Sequence, residues 1–222
     1  MYLALNFISL VILVTLQDLH VAGHGYMQIP VNRASRWRIN ASAPINWNDN
    51  ELYCGGFSVQ WGENGGKCGI CGDDYKTPQP RLHEFGGVYG EGVVVASYRA
   101  NSVIPVTVNL TKNHWGDFTF DLCNMDNENE TDECFGKWKL KLTDGSAKYK
   151  IKQNYDGLFK TTLQIPRGIK CKHCVLRWTY RTGNNWGVCE DGTAGLGCGP
   201  QEHFRNCADI SIYDPPPVEL FF

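Results

Sequence analysis

The chain has 222 residues, of which 42% are hydrophobic and 20% are charged, so it is long and apolar enough to form one sizeable domain. Its formal net charge of −2 becomes −1, from 21 basic and 22 acidic residues, once residues 1–23 are set aside, because Asp18 is their only charged side chain. This near-neutral balance, without a basic stripe, argues against nucleic acid or an anionic membrane as the partner and favours a neutral one.

The first 23 residues are typical of a secretory signal peptide. The run from Leu3 to Leu16, LALNFISLVILVTL, is almost wholly apolar, and it is shorter than the roughly 20 residues that a membrane-spanning helix needs. Val21 and Gly23 provide the small residues that a signal peptidase reads. The alternative is a short buried helix. We predict cleavage after Gly23, which makes the protein secreted and extracellular and makes His24 the first residue of the mature chain.

The next segment, residues 24–92, is rich in Gly, Asn, Trp and Cys and has few strand-like runs. We predict that it forms a long loop region, tied by disulfides, over one end of the fold. From residue 93 onward, short runs alternate apolar and polar side chains, with Gly, Asn or Asp turns between them, which is typical of antiparallel strands. The predicted strands cover 93–98, 103–110, 117–123, 137–142, 174–181 and 207–213.

These elements predict an all-β domain over residues 24–213, an antiparallel immunoglobulin-like or fibronectin-like β-sandwich with long disulfide-tied loops. No long segment has helical periodicity. Residues 214–222, DPPPVELFF, contain three prolines, which have no N–H to donate to a sheet, so we predict a C-terminal tail there.

All ten cysteines follow the predicted cleavage site. An even number of cysteines in a secreted chain predicts up to five disulfides. Two cysteine pairs, CGIC at 68–71 and CKHC at 171–174, also have the spacing of a zinc ribbon. We favour disulfides over zinc because the chain is predicted to be secreted. Three Asn-X-Ser/Thr sequons, at Asn40, Asn109 and Asn129, agree with a secreted glycoprotein.

A histidine at the amino terminus of a mature chain is a potential metal chelate. The α-amino group and Nδ1 of His24 can bind one ion in a six-membered ring, and a free α-amino group has a pKa near 7.7–8.0, so the metal displaces a weakly held proton. A third nitrogen in the same plane would give a T-shaped site, which suits Cu(II).

His114 is the best candidate for the third nitrogen on position alone. It lies in the turn TKNHWG between two predicted strands, at an end of the sandwich where loops converge. His83, in RLHEFGG, competes for the role, and His203, next to the last predicted strand, is a weaker competitor. The residues alone leave this choice open.

The sequence HGYMQIPVNRASRW, which follows the predicted cleavage site, resembles the start of lytic polysaccharide monooxygenases. The stretches NDNELYCGG, CGICGD, NHWGDFTFDLC and GPQEHFRNCADISI resemble the invertebrate branch, auxiliary activity family fifteen. The resemblance extends over essentially the whole mature chain. It implies a β-sandwich and one copper ion held by an N-terminal "histidine brace" of His24 and His114. The implied activity is oxidative cleavage of chitin or cellulose, with an external electron donor and O₂ or H₂O₂ as co-substrate.

The same resemblance implies an aromatic residue facing the copper from below, at Phe204 in EHFRNCADISI. A phenylalanine leaves that axial position without an oxygen ligand. Tyr213 is a less favoured alternative, because it lies beyond the expected metal end of the strand. Glu202 is predicted to reach the site from just outside the ligand set.

An insoluble polymer needs a flat surface around the copper, with aromatic side chains that stack on sugar rings. Loop aromatics at Tyr26, Trp47 and Tyr89 are the candidates. We therefore expect an insoluble polysaccharide as the partner, no nucleic acid or membrane, and a monomeric enzyme. The alternatives are a non-catalytic secreted protein that binds chitin or cellulose, and a disulfide-rich extracellular interaction or matrix protein.

Overall fold

The computed structural model describes residues 23–214. Most of the predicted signal peptide (1–23) and of the predicted tail (214–222) therefore lies outside the described residues. The strands are β1 (His24–Ile29), β2 (Ala96–Arg99), β3 (Val103–Lys112), β4 (Asp117–Asn124), β5 (Trp138–Lys139), β6 (Lys141–Leu142), β7 (Tyr149–Lys150), β8 (Gly157–Gln164), β9 (Cys171–Arg181), β10 (Trp186–Val188), β11 (Ala194–Leu196) and β12 (His203–Tyr213). The helical elements are a 3₁₀ helix (Arg33–Arg38), a π-helix (Ser58–Glu63) and α1 (Asp132–Lys137).

Two sheets form the body of the molecule. One has the order β1-β3-β8-β6, and the other has the order β2-β12-β9-β4-β5 with β7 also paired to β4. All pairs are antiparallel except β2 with β12. β10 and β11 form a separate hairpin. The predicted fold class, an antiparallel β-sandwich with long disulfide-tied loops, is confirmed.

The core lies between the two sheets and is formed by the inward-facing apolar side chains of their strands. Burying such side chains contributes roughly 25 cal/mol per Å² of apolar surface removed from water. The largest fully buried side chains are Met27, Ile104, Leu110, Phe118, Phe120, Leu122, Phe135, Leu163, Ile165, Trp178, Tyr180 and Phe204. Phe204 and Tyr180 are paired in register on β12 and β9, so this core reaches the end of the sandwich at which β12 begins.

The run 137–142 is not the single strand that the sequence predicts. Its first residue, Lys137, is the last residue of α1 (Asp132–Lys137). This helix is capped by the Thr131 side chain, which accepts a hydrogen bond from the N–H of Cys134. The remaining residues pass from one sheet to the other, because β5 pairs with β4 and β6 pairs with β8. The alternation of KWKLKL therefore reflects two short strands that bury Leu140 and Leu142 in the shared core.

The prediction for residues 24–92 is partly wrong. The segment begins with β1, which pairs with β3 inside the four-stranded sheet. The rest lies alongside β12 as well as at its N-terminal end: the N–H of Arg205 donates to the carbonyl of Leu52, and Trp61 donates to the carbonyl of Gln201. These residues thereby cover the part of the β12 edge that β2 leaves unpaired.

All ten cysteines are in disulfides: Cys54–Cys68, Cys71–Cys207, Cys123–Cys134, Cys171–Cys174 and Cys189–Cys198. The choice of disulfides over zinc is confirmed, since CGIC contributes to two different bridges and CKHC closes on itself. Between residues 23 and 214, no helix is both long and apolar enough to cross a bilayer.

Candidate metal centre

His24 is held at the start of β1 by its neighbours in the chain. Its Cα is opposite Lys112 at the end of β3, with an irregularity in the ladder before the next pair, Gly25 and Leu110. A Cβ on Gly25 would lie 2.5 Å from the Leu110 side chain. The Gly25 N–H donates to the carbonyl of Asn50 at 3.0 Å. Glycine at this position therefore lets β1 approach β3 closely and places His24 at the end of the sheet.

His114 is brought to the same end by a tight turn between β3 and β4. Trp115 and Gly116 both have positive φ, 55° and 89°. A Cβ on Gly116 would lie 1.9 Å from the carbonyl oxygen of Arg181, so only glycine fits there. The N–H of His114 donates to the Tyr180 hydroxyl at 2.9 Å, and the N–H of Gly183 donates to the His114 carbonyl at 2.8 Å. The backbone on both sides of the imidazole is thus fixed.

The N-terminal side of His24 faces His114. An ideal Cβ on Gly23, the residue just before His24, would lie 3.4 Å from Nδ1 of His114 and 3.3 Å from Cε2 of Phe204. Burial lowers the pKa of His114, and Lys112 and His24 lower it further. A neutral imidazole has a lone pair available at neutral pH, so His114 is ready to act as a ligand.

One ring nitrogen of each imidazole has a side-chain partner. Nε2 of His24 lies 3.3 Å from Oε1 of Glu51, and Nδ1 of His114 lies 3.0 Å from Nδ2 of Asn184. This leaves Nδ1 of His24, the ring nitrogen that can chelate together with its own α-amino group, and Nε2 of His114. Two imidazoles and an amine form an all-nitrogen donor set, which fits copper.

Phe204 lies next to residue 23 and is fully buried. Its ring stacks between those of Tyr53 and Tyr180, with centroid distances of 6.1 and 5.7 Å. The alternative, Tyr213, lies at the opposite end of β12 and is 50% exposed. Burial raises the pKa of Glu202 to about 7, although its carboxylate accepts hydrogen bonds from the N–H groups of Gly23 and Phe57. Phe204 and Glu202 therefore both lie next to the residue that precedes His24.

The competing histidines are engaged elsewhere. His83 is buried, with Nδ1 2.7 Å from Asp73 and Nε2 3.0 Å from Asn46. Nδ1 of His203 is 2.7 Å from the Gln60 amide, and burial lowers its pKa to about 4. Among the described residues, one group of three potential metal-binding side chains has its ligand atoms within 4.8 Å of one another. It consists of Glu130, Cys71 and Cys207, and the two cysteines are bonded to each other in a disulfide.

The three aromatic residues predicted to contact sugar differ in exposure. Tyr26 is only 9% exposed, and the Arg38 guanidinium lies 5.5 Å from its ring centroid. Its ring face is thus covered, so the structure does not favour the predicted stacking role of Tyr26. Trp47 is 75% exposed and contacts Trp37 edge-on. Tyr89 is half-buried and stacks on His83 at 4.7 Å.

The β10–β11 hairpin was not predicted from the sequence, and it presents Trp186, Val188 and Leu196 to solvent. Trp186 alone is 70% exposed. The hairpin lies close to His114, because Gly183 and Asn184 just before it both contact that residue. The signal for it was present: Cys189 and Cys198 enclose a glycine-rich turn and close the hairpin with a disulfide.

The family model described as "Lytic polysaccharide mono-oxygenase, cellulose-degrading" matches residues 24–210. The chain is also similar to a solved structure of a lytic polysaccharide monooxygenase AA15 from Thermobia domestica in the Cu(I) state, with 47% identity and a TM-score of 0.82, covering 85% of this chain and 98% of that one. It shares its fold with an AA10 lytic polysaccharide monooxygenase from Streptomyces lividans, with 14% identity and a TM-score of 0.53 over 85% of this chain and 99% of that one. No curated protein sequence matches the chain.

Proposed function

Because the chain belongs to the lytic polysaccharide monooxygenases of family AA15 and is a copper-dependent polysaccharide monooxygenase with one copper per chain, we propose that His24 and His114 hold its copper. Cleavage after Gly23 would convert the backbone nitrogen of His24 into a free amine, the third ligand. The observation that carries this proposal is the proximity of residue 23 to the His114 imidazole: an ideal Cβ at position 23 would lie 3.4 Å from its Nδ1. The family match also begins at His24.

Bound copper supplies an oxidant for a C–H bond beside the glycosidic linkage, using an external electron donor and O₂ or H₂O₂. The chain's own groups prepare the site for that chemistry. His24 and His114 would hold the ion, and the buried Phe204 ring next to residue 23 has no oxygen that could bind it. Burial raises the pKa of Glu202, which favours a protonated carboxyl group beside the start of the mature chain.

The proposed substrate is insoluble chitin or cellulose, bound on the surface around His24. The exposed side chains of Trp47 and of Trp186 on the β10–β11 hairpin support this, since indole rings stack on sugar faces. Tyr89 is proposed to contact the polysaccharide at the edge of this surface. Membership of an enzyme family argues against the non-catalytic alternatives. We further propose that residues 1–23 direct secretion, that residues 24–213 form one monomeric catalytic domain and that residues 214–222 form a tail.

The test has three parts. N-terminal sequencing of the secreted protein is expected to begin at His24, and copper titration is expected to give one tight site. Incubation with ascorbate and each polymer, followed by mass spectrometry, is expected to yield oxidised oligosaccharides and to identify the preferred polymer.

Two variants locate the ligands. His114→Ala should abolish oxidised products and weaken copper binding strongly, because only the two nitrogens of His24 remain. A chain that retains Gly23 should also lose activity, because an amide replaces the free amine. His83→Gln is the matched control and should keep both properties. Unchanged oxidation in His114→Ala, or full activity in the extended chain, would refute the proposed brace.

A further inference from the structure

We propose that Glu51 and Asn184 are positioning residues that set the orientation and the donor strength of the two copper-binding imidazoles. This inference rests on the proposed function, because it takes His24 and His114 as the ligands. It follows from an asymmetry in the structure: Nε2 of His24 faces a carboxylate, and Nδ1 of His114 faces a neutral amide.

Glu51 is the partner of His24. Its Oε1 lies 3.3 Å from Nε2, and both side chains are partly exposed. The loop that carries Glu51 is fixed to β1, because the N–H of Gly25 donates to the carbonyl of Asn50 and the N–H of Glu51 donates to that of Asn48. An ionised carboxylate only accepts hydrogen bonds. It therefore favours the tautomer of His24 with its proton on Nε2, which leaves the lone pair on Nδ1 for the chelate with the α-amino group.

Asn184 is the partner of His114. Its Nδ2 lies 3.0 Å from Nδ1, and the adjacent residues are fixed because Gly183 donates to the His114 carbonyl and Asn185 donates to Oε1 of Gln201. In this arrangement the amide donates to Nδ1, so the imidazole proton is on Nε2. For Nε2 to bind copper, the proton must move to Nδ1 and the amide must turn by 180° so that Oδ1 accepts it. An amide can serve both tautomers because it has a donor and an acceptor.

The two contacts should have unequal effects on the metal. A carboxylate that accepts the outer N–H raises the basicity of an imidazole ligand, and a neutral amide does so much less. A more basic nitrogen ligand stabilises Cu(II) more than Cu(I). His24 should therefore be the stronger imidazole donor of the two, and exchanging acid for amide at either position should shift the copper couple in a predictable direction.

The experiment uses the mature protein with Cu(II), and compares Glu51→Gln and Asn184→Asp with wild type. Loss of a contact of this type typically costs roughly 10- to 100-fold in metal affinity. We expect Glu51→Gln to weaken Cu(II) binding about tenfold, which raises the Cu(II)/Cu(I) midpoint potential by about 59 mV if Cu(I) affinity is unchanged. Asn184→Asp should shift both quantities in the opposite direction by a similar amount.

Matched controls are Glu128→Gln and Asn127→Asp, which make the same charge changes on the surface near α1, and both should match wild type. A readout without metal is ¹⁵N NMR of the imidazoles. Glu51→Gln should mix the tautomers of His24, and Asn184→Asp should place the proton of His114 on Nδ1.

Opposite shifts in the two variants support the inference. Affinities within twofold of wild type in both variants, or shifts of the same sign, would overturn it while leaving the brace intact. A wild-type chain that binds no copper would overturn the brace as well.

Discussion

Glu202, just before β12, and His203, its first residue, are both largely removed from water, and burial shifts their pKa values in opposite directions. It raises the pKa of Glu202 to about 7 and lowers that of His203 to about 4. In both cases burial disfavours the charged form. These two adjacent residues are therefore neutral at pH values where exposed glutamate and histidine would be charged.

His203 gives a pH-dependent contribution to stability. Its unfolded-state pKa is near 6.5, so between pH 6.5 and about 4 the unfolded chain binds a proton that the folded chain does not. This contribution is complete above pH 6.5 and is lost as the pH falls, by up to about 1.4 kcal/mol per pH unit. In metal-free protein, His203→Gln should therefore show a flatter fall in the free energy of unfolding over this range. Urea titrations at several pH values measure it, and parallel curves for both proteins would contradict the assignment.

The choice between His114 and His83 shows what single residues in a sequence cannot reveal. Both lie in loops, and position along the chain favours His114 without excluding His83. What separates them is long-range: Asp73 and Asn46 take both ring nitrogens of His83, whereas β1 brings His24 to His114. The family resemblance favours His114, a choice that local spacing left open. Neither pattern nor resemblance indicated Glu51 and Asn184, since contacts between side chains on separate loops leave no periodic signal.

At the level of elements, β12 organises the molecule. Its N-terminal end places Phe204, and Glu202 just before the strand, next to residue 23. Farther along the strand, Asp209 binds the loop region. Nε and Nη2 of Arg33 donate to the two carboxylate oxygens of Asp209 at 2.8 and 2.7 Å, and Nε2 of His173 lies 2.7 Å from the same group. This buried ion pair joins the segment after β1 to the other sheet.

Asp209→Asn should break this anchor. Burial alone would raise the pKa of Asp209, but Arg33 and His173 outweigh it and hold the pKa below the ordinary value. The carboxylate therefore contributes stability above pH ~3.9, and this is lost as the pH falls through its folded-state pKa. Arg33 keeps Glu130 as a second buried counter-ion, 2.8 Å from its Nη1, so the loss of the Asp209 charge should cost at most roughly 3–5 kcal/mol at neutral pH.

Urea unfolding at pH 7 and at pH 3 tests this, with Glu63→Gln as the control. Glu63 pairs with Lys76 on the surface, and its loss should change stability by less than about 0.5 kcal/mol. An Asp209→Asn protein as stable as the control at pH 7 would show that the ion pair is not an anchor.

The strands that were not predicted from the sequence have a weak alternation of apolar and polar side chains. In β8, the inward-facing positions Phe159 and Leu163 are separated by Thr161, which interrupts the apolar pattern. In β1, the consecutive residues Gly25, Tyr26 and Met27 are all buried, so a period of two is absent. Strands such as β3, β4 and β9 were predicted because one face packs on the core while the other is more polar, which is the pattern that periodicity detects.

For the whole molecule, ten cysteines predicted five disulfides, but their connectivity depends on the completed fold. Cys71 and Cys207 are separated by 136 residues and meet only because the loop region lies along β12. Cys171 and Cys174 are three residues apart and bridge within the start of β9. Both bridges are buried, so they differ chiefly in the length of chain that each one closes.

This difference predicts the order of their contributions to stability. A cross-link stabilises a protein in part by lowering the entropy of the unfolded chain, and the effect grows with the logarithm of loop length. Replacing Cys71 and Cys207 by serine should therefore cost up to about 3 kcal/mol more than replacing Cys171 and Cys174 by serine. That value is an upper one, because three other disulfides lie inside the longer loop and shorten it.

Urea unfolding of the two double variants, with the remaining bridges verified by mass spectrometry, measures the difference. The buried serines impose a similar polar cost in both variants, so equal free energies of unfolding would show that the long bridge acts through local packing rather than by restricting the unfolded chain.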